Sequence, residues 1–319
     1  MHVPPIPLTV IGGFLGAGKS TLVNRLLAQA GDTRVTVLVN DFGAINIDAS
    51  LIASRDGETI SLANGCVCCS IGDDLVDALI RAMERQPAPD RIVIEASGVA
   101  DPWRIAQVGL SDPALRLDSV VVLVDAETVR AHAADRHLAD TIRGQLRAGD
   151  YLILNKADLL APETLAATRR WLASTCPGTP IVVARDADVP FVFLADAGLS
   201  AWPAGTMRAC GCSERHPCRH GQAHGDLFES WSWEPAGRLR ADALRAWLRA
   251  LPAGVLRTKG IVATDEWPWA VMHGVGRRGT LTPAAPPAPA RSAIVAIGLR
   301  GQLPVAELDA FFRGARLAD

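Results

Sequence analysis

The sequence lacks three features that would each indicate a large class of proteins. It has no excess of positive charge, because 32 lysines and arginines face 34 aspartates and glutamates, and the formal net charge is −2. It has no run of about 18 apolar residues of the kind that crosses a membrane, and its N-terminus lacks a signal-peptide pattern. We therefore expect a cytoplasmic protein that binds neither nucleic acid nor membranes.

The chain has the length and the cysteine content of a two-domain, metal-binding protein. Its 319 residues, 49% of them apolar, suffice for two domains, one of which has a large core. Six of its seven cysteines fall in two tight clusters. In the reducing cytosol, clustered cysteines are more often metal ligands than disulfides.

The chain is organised around a glycine-rich turn, GFLGAGKST, between an apolar run at residues 8–11 and a helix predicted over 19–30. Strand, glycine-rich turn and helix in this order are typical of a phosphate-binding loop, although an ordinary turn with an exposed lysine is the alternative. Glycines let several amide N–H groups point at one anion, and the helix N-terminus adds partial positive charge. The residues predicted to bind a nucleoside triphosphate are Gly13, Gly16, Ala17, Gly18, Lys19, Ser20 and Thr21.

Individual residues of this motif and of a later strand have predicted chemical roles. Lys19 is expected to reach the β- and γ-phosphates and assist hydrolysis, and the Ser20 hydroxyl to ligate Mg²⁺. Glu95 ends an apolar strand at 91–95, and Gly98 follows three residues later. Many strands end in glutamate, but downstream of a phosphate-binding loop this pattern favours a carboxylate on the Mg²⁺ side, followed by a loop that senses the γ-phosphate.

The predicted nucleotide base is guanine. Asn155, Lys156 and Asp158 follow a predicted strand at 151–154. An aspartate here can accept both the ring N–H and the exocyclic amine of guanine, whereas adenine offers no such pair of donors. A polar turn between strand and helix is the alternative, but the position downstream of the phosphate-binding loop favours GTP over ATP.

A first cysteine cluster, Cys66, Cys68 and Cys69, is a candidate metal site. Neighbouring loop residues point in different directions, so three thiols within four residues cannot all be core fillers; one structural cysteine with two incidental ones is the alternative. Thiolates select zinc, copper(I) and similar ions. Three sulfurs leave a tetrahedral ion one ligand short, so a carboxylate or an incoming ligand is expected to complete it.

The pattern predicts an α/β fold with a mostly parallel sheet over residues 1–195, a linker at 196–226, and a small α+β domain over 227–319. Apolar strands alternate with helices in the first part. The remaining strands are predicted at 35–39, 59–62, 119–124 and 180–183, with helices at 72–85, 102–109, 135–148 and 162–174. In the last part, strands are predicted at 228–233, 255–263, 270–275 and 293–299, followed by a helix from Pro304 that turns Val305, Leu308, Phe311 and Phe312 inward.

The linker carries a second set of metal-binding side chains. It is compatible with a flexible tract that captures an ion and passes it on, with a closed zinc knot, or with a disordered segment. Its candidate ligands, from which no set of four can be chosen, are Cys210, Cys212, His216, Cys218, His220 and His224.

Five motifs in this order resemble those of the CobW-like GTPases, metal-trafficking relatives of the urease and hydrogenase accessory GTPases. The motifs are GGFLGAGK from residue 12, VNDFG from 39, NGCVCC from 64, EASGVADP from 95 and NKAD from 155. The resemblance implies a GTPase that binds zinc, or cobalt, through Cys66, Cys68 and Cys69 and delivers it to a client protein. It also implies that Asp41 assists, although the family usually has glutamate there, which leaves the geometry of this ligand open.

The leading hypothesis is a GTP-dependent metallochaperone in which nucleotide state alters metal affinity. Asp48 is either the residue that orients the attacking water or a solvated loop acid. A zinc buffer or sensor with a structural nucleotide site is the first alternative, and an ATP-dependent kinase is the second. The intact Lys19 and Ser20 argue against the buffer, and Asp158 argues against both. No oligomeric state is predicted.

Overall fold

The computed structural model describes residues 5–39, 59–61, 71–190, 228–276, 278–284 and 292–317. The chain divides into two compact units, Val3–Asp196 and Ala197–Asp319. The predicted linker at 196–226 lies outside the described residues, so its predicted limits stay a prediction. Within the described part of the chain, no helix is both long enough and apolar enough to cross a membrane.

The first unit is built on a parallel sheet with seven described strands. They are β1 (Ile6–Gly13), β2 (Val35–Val39), β3 (Thr59–Ser61), β4 (Arg91–Glu95), β5 (Leu115–Asp125), β6 (Tyr151–Asn155) and β7 (Ile181–Val183). In the sheet they follow the order β3-β2-β4-β1-β5-β6-β7. The Val, Ile and Leu side chains of β2, β4 and β6 are buried on both faces, as expected for strands that lie between layers of helices.

Helices connect these strands, and sequence signals define several of their ends. Pro102 and Pro162 occupy first helical turns, where the missing N–H costs nothing, and the Asp101 carboxylate accepts a hydrogen bond from the Trp103 N–H at 2.9 Å. The helices are α1 (Lys19–Gln29), α2 (Ile71–Met83), α3 (Pro102–Ser111), α4 (Val129–Ala134), α5 (Ala139–Ala148) and α6 (Pro162–Thr175).

The predicted helix at 135–148 is wrong in its first part. The chain leaves α4 at Asp135, whose backbone is extended, and α5 begins only at Ala139. The Asp135 carboxylate accepts a hydrogen bond from the N–H of His137 at 2.7 Å. Aspartate competes for local N–H groups in this way and favours a turn over a helix interior.

Strand register brings the carboxyl ends of the central strands together. Ile11 of β1 pairs with Glu95 of β4, and Asp125 of β5 pairs with Asn155 of β6. The loops that follow β1, β4, β6 and β7 therefore emerge at the same edge of the sheet. This is the edge at which ligands bind in open α/β sheets, and the predicted α/β fold is confirmed.

The described part of the second unit is an antiparallel sheet with two helices. Its elements are β8 (Phe228–Trp233), α7 (Ala241–Arg249), β9 (Val255–Val262), β10 (Ala270–Val275), β11 (Arg278–Pro283), β12 (Ala293–Leu299) and α8 (Val305–Gly314). In the sheet the strands follow the order β11-β10-β9-β12-β8. An aromatic cluster fills the core, with Trp231, Trp247 and Phe312 in ring contact, and the Trp231 Nε1–H donates to the Asp309 carboxylate at 2.9 Å.

Two details of this unit were not predicted from the sequence. Strand β11 lies at the sheet edge, where only one neighbour is needed, and its glycine, proline and half-exposed side chains give no apolar pattern. Val305 was predicted to point inward but is exposed, because it is the first residue of α8 and the buried stripe is Leu308 and Phe312.

Candidate functional site

The turn after β1 adopts a backbone conformation that leaves little choice but glycine. Gly13 and Gly18 have φ angles of 135° and 101°. A Cβ on Gly13 would lie 2.3 Å from the Leu123 carbonyl oxygen, and one on Gly18 would lie 2.6 Å from Asn155 Nδ2. The loop therefore passes close to β5 and β6 before α1 begins at Lys19, as a phosphate-binding loop requires.

Lys19 and Ser20 lie where the sequence predicts them. Lys19 is only 6% exposed and donates from Nζ to the Phe14 carbonyl at 3.3 Å, so its side chain curls back over the loop. The Ser20 hydroxyl donates to Glu95 Oε1 at 2.9 Å. Two residues predicted separately as Mg²⁺ ligands are thus in direct contact.

The donor set at this contact fits a hard divalent cation. Glu95 is 1% exposed, and the N–H of Ala96 donates to the Ile11 carbonyl at 2.8 Å, which fixes the end of β4 beside the end of β1. A buried carboxylate and a hydroxyl beside a phosphate-binding loop are the oxygen ligands that Mg²⁺ takes from nucleotide-binding proteins.

Asn155 joins three loops. Its Nδ2 donates to the Ala17 carbonyl in the phosphate-binding loop at 2.9 Å, and its Oδ1 accepts from the N–H of Ala187 at 2.7 Å. Because the side chain is buried, both bonds are shielded from water. The phosphate-binding loop, the end of β6 and the loop after β7 therefore form one connected surface.

Lys156 and Asp158 complete the edge after β6. Lys156 has a left-handed backbone with φ of 58°, and its Nζ lies 2.7 Å from Asp125 Oδ2. Asp158 lies in the short 3₁₀ helix Ala157–Leu159 and is exposed. Its carboxylate is thus accessible to a ligand, while Lys156 ties this turn to the end of β5.

The loop after β4 rests on the phosphate-binding loop. A Cβ on Gly98 would lie 2.5 Å from Leu15 Cδ2 and 2.9 Å from the Leu15 backbone nitrogen, so the two loops meet closely here and a larger residue would have to displace the neighbouring loop. From α5, the buried Gln145 Nε2 donates to the carbonyls of Gly98 and Ala100, each at 3.0 Å. A displacement of one loop would therefore also displace the other.

Three features of the site were missed from the sequence. They are Gln145, the loop at 184–188, and Arg25 of α1, which bonds to that loop. Gln145 had a usable signal, since a polar residue lies between Ile142 and Leu146 on the buried face of α5. The 184–188 loop had a weaker one, a polar stretch after a parallel strand next to β6.

The other predicted site residues cannot be placed. Asp41, Asp48, Cys66, Cys68 and Cys69, and the Cys/His set at 210–224, lie outside the described residues. In the part of the chain that is described, no group of three or more His, Cys, Asp or Glu side chains could hold a metal ion.

Both units match models of known families. Residues 7–183 match the model described as CobW/HypB/UreG, nucleotide-binding domain, and residues 228–316 match the cobalamin synthesis protein cobW C-terminal domain.

Individual relatives carry zinc in their names. Zinc chaperone CobW of Sinorhizobium sp is 33% identical over 306 residues, which is 86% of each chain. Zinc chaperone YjiA of Escherichia coli (strain K12) is 37% identical over 164 residues, 49% of this chain and half of that one. Among solved structures, the Zn(II)-bound YjiA GTPase from E. coli covers 99% of this chain and 100% of its own, at 23% identity and a TM-score of 0.41.

Proposed function

Since this chain belongs to the CobW family through both of its units, we propose that it is a GTP-hydrolysing metallochaperone that carries zinc to a client protein. The nucleotide-binding part of this proposal rests on the Asn155 side chain. It joins the phosphate-binding loop to the loop after β7, and it lies at the end of β6, just before the turn that carries Asp158. A nucleotide is the ligand that needs a phosphate cradle and a base pocket at one edge of a sheet.

The residues of the first unit have distinct proposed roles in binding GTP. The amides of the turn at 13–18 and Lys19 hold the phosphates, and Ser20 and Glu95 would hold Mg²⁺. Bound there, Mg²⁺ would neutralise charge on the β- and γ-phosphates. Catalysis by this chain then consists of positioning and charge stabilisation, with Asp48 proposed to orient the attacking water.

Guanine selection is proposed to rest on Asp158. Its exposed carboxylate accepts the ring N–H and the amine of guanine, while Asn155 and Lys156 hold the turn that carries it. An adenine nucleotide leaves this carboxylate unpaired, and a site built to pair polar groups discriminates strongly against such an analogue.

Zinc is the proposed cargo, held by Cys66, Cys68 and Cys69 with help from Asp41. The loop after β4, which contacts the phosphate-binding loop through Gly98 and Leu15, is the element proposed to respond to the γ-phosphate. Nucleotide state alters zinc affinity only if zinc binds the two states differently. We further propose that hydrolysis releases zinc to a cytoplasmic client metalloprotein.

Zinc affinity measured in the GTP-analogue state and in the GDP state tests this coupling. We expect the two values to differ about 5- to 150-fold, the usual range for coupled sites. A Cys66→Ser variant should lower affinity in both states, while Cys176→Ser, outside the motif, is the matched control. Equal zinc affinities in the two states would contradict a nucleotide-driven carrier.

A zinc buffer with a structural nucleotide site is the remaining alternative. Under that alternative, Lys19→Ala leaves cellular zinc handling intact, whereas a carrier driven by GTP loses delivery. Capture of a partner by the GTP-locked protein, followed by metal analysis of that partner, would identify the client.

A further inference from the structure

The loop at 184–188 is held in an unfavourable backbone conformation. Asp186 and Ala187 are consecutive residues with φ angles of 47° and 52°, a left-handed backbone conformation that residues other than glycine rarely adopt. Such a conformation persists only where the surroundings hold it, and it is concentrated at ligand-binding sites. The bonds that hold this loop therefore indicate its function.

Two side chains hold this loop, Asn155 of the proposed nucleotide site and Arg25 of α1. Asn155 accepts the Ala187 N–H at 2.7 Å. Arg25 of α1 donates from Nε to the Asp186 carbonyl at 2.7 Å and from Nη2 to the Asp186 carboxylate at 2.5 Å, and its Nη1 lies 3.4 Å from Asp188 Oδ1. The Arg25 guanidinium thus bonds to both the backbone and the side chains of the loop.

The fastened loop lies beside the turn that carries Asp158. The Ala184 N–H donates to the Leu154 carbonyl at 2.9 Å, and the Ala157 N–H donates to the Ala184 carbonyl at 3.1 Å. The segment that starts at Ala184 therefore runs next to the residues proposed to read guanine.

We propose that Arg25 is a positioning residue for nucleobase selection, which holds the 184–188 loop as the wall against which guanine binds. The inference rests on the proposed GTP-binding function and extends it to a residue outside the nucleotide motifs. Guanine binding depends on this wall because the Asp158 carboxylate can pair with the base only when the base is held in one position. Adenine nucleotides, held mainly by their phosphates, depend on the wall much less.

An exposed ion pair would ordinarily contribute little. The side chains of Arg25 and Asp186 are 35% and 73% exposed, so water and salt screen their attraction. The fork-like guanidinium nevertheless makes a further bond to a backbone carbonyl, a geometry that a lysine cannot reproduce. Arg25→Lys should therefore rescue only part of the effect of Arg25→Ala.

The test compares three probes on the full chain, namely GDP, ADP and inorganic pyrophosphate, by calorimetric titration. Arg25→Ala should weaken GDP binding about tenfold, the scale of a lost charge-assisted hydrogen bond. Affinities for ADP and pyrophosphate should stay within about twofold, a margin too small for one lost hydrogen bond. Asp186→Ala should reproduce part of the change, because the bonds from Arg25 to the Asp186 backbone carbonyl and to Asp188 remain, and the double variant should lose no more than Arg25→Ala alone.

Arg34→Ala is the matched control. Arg34 makes the same kind of paired bonds, to Asp90 at 3.0 and 2.5 Å, but it lies at the start of β2 and not at the nucleotide edge. Its loss should leave all three affinities unchanged.

The outcomes separate this inference from the function on which it rests. Unchanged GDP affinity in Arg25→Ala, or an equal fall for GDP and pyrophosphate, would overturn the role of Arg25 in base selection. In the same experiment, a parent protein that binds ADP as well as GDP would overturn the GTP-binding function itself.

Discussion

Buried polar side chains form one cluster where β4 begins and another where β4 ends, and the two clusters have different roles. Where β4 begins, Arg91 lies 2.8 Å from Asp118 and donates to the Thr9 hydroxyl at 3.0 Å, and both charged side chains are at most 1% exposed. Where β4 ends, Glu95 accepts the Ser20 hydroxyl beside Lys19. Burial and charge are similar at the two ends, so neither property alone marks a binding site.

The backbone makes the difference. Around Arg91 the chain stays extended, with one shift of register at Leu8/Thr9 beside Asp118, and the charged groups of opposite sign meet each other. At the carboxyl end, Gly13, Gly16 and Gly18 all have positive φ, so the chain curls and its amides can converge on an external anion. The first cluster is therefore a structural ion pair, and the second is the proposed ligand site.

The largest effect in this comparison is expected at the amino end. Asp118→Ala leaves the Arg91 guanidinium buried without its carboxylate, which should lower the free energy of unfolding by about 3–5 kcal/mol. Urea unfolding measures this loss. GDP affinity of the remaining folded protein should not change, and a variant that stays stable but loses GDP would reverse the assignment of the two ends.

Lys19→Ala should give the reciprocal result. Loss of this charge at the phosphates should lower kcat/KM for GTP hydrolysis about 10²–10³-fold, by analogy with removal of one stabilising donor from an active site. Steady-state phosphate release measures it, and Asp118→Ala at low temperature, where it remains folded, is the control. Hydrolysis near the parent rate would remove Lys19 from the catalytic machinery.

A smaller effect is expected at Gln145, which hydrogen-bonds to the loop after β4. Gln145→Leu removes both bonds to the loop after β4, each worth about 1 kcal/mol net, and should change the ratio of GTP to GDP affinity roughly fivefold. Gln107→Ala, at an exposed position of α3, is the control. An unchanged ratio together with lower stability would make Gln145 a purely structural residue.

The smallest effect depends on pH and concerns the pair Arg34–Asp90 near the start of β2. The hydrogen bond from Arg34 lowers the pKa of Asp90 below its ordinary value. This contribution to stability is therefore complete above about pH 4 and is lost as the pH falls through the lower folded value. Arg34→Ala should be slightly less stable than the parent at neutral pH, and urea unfolding should show the two converging in acid. A constant difference down to low pH would contradict this linkage.

The sequence by itself determined the elements whose causes are local. Strand, glycine turn and helix lie within 24 residues, from Ile6 to Gln29, and the φ angles that the turn requires are restricted to glycine by its own geometry. Asp158 likewise lies in the turn just after its strand, which ends at Asn155. The CobW-like family and the α/β fold could be predicted for this reason.

Only the tertiary structure decided which distant side chains meet. Ser20 and Glu95 are 75 positions apart, Gln145 and Gly98 are 47 apart, and Arg25 and Asp186 are 161 apart. These contacts depend on the strand order β4-β1-β5-β6-β7, which no local pattern specifies because it results from burial of both faces of the sheet. The sequence thus determined the chemical groups of the site, and packing of the sheet decided how they are held.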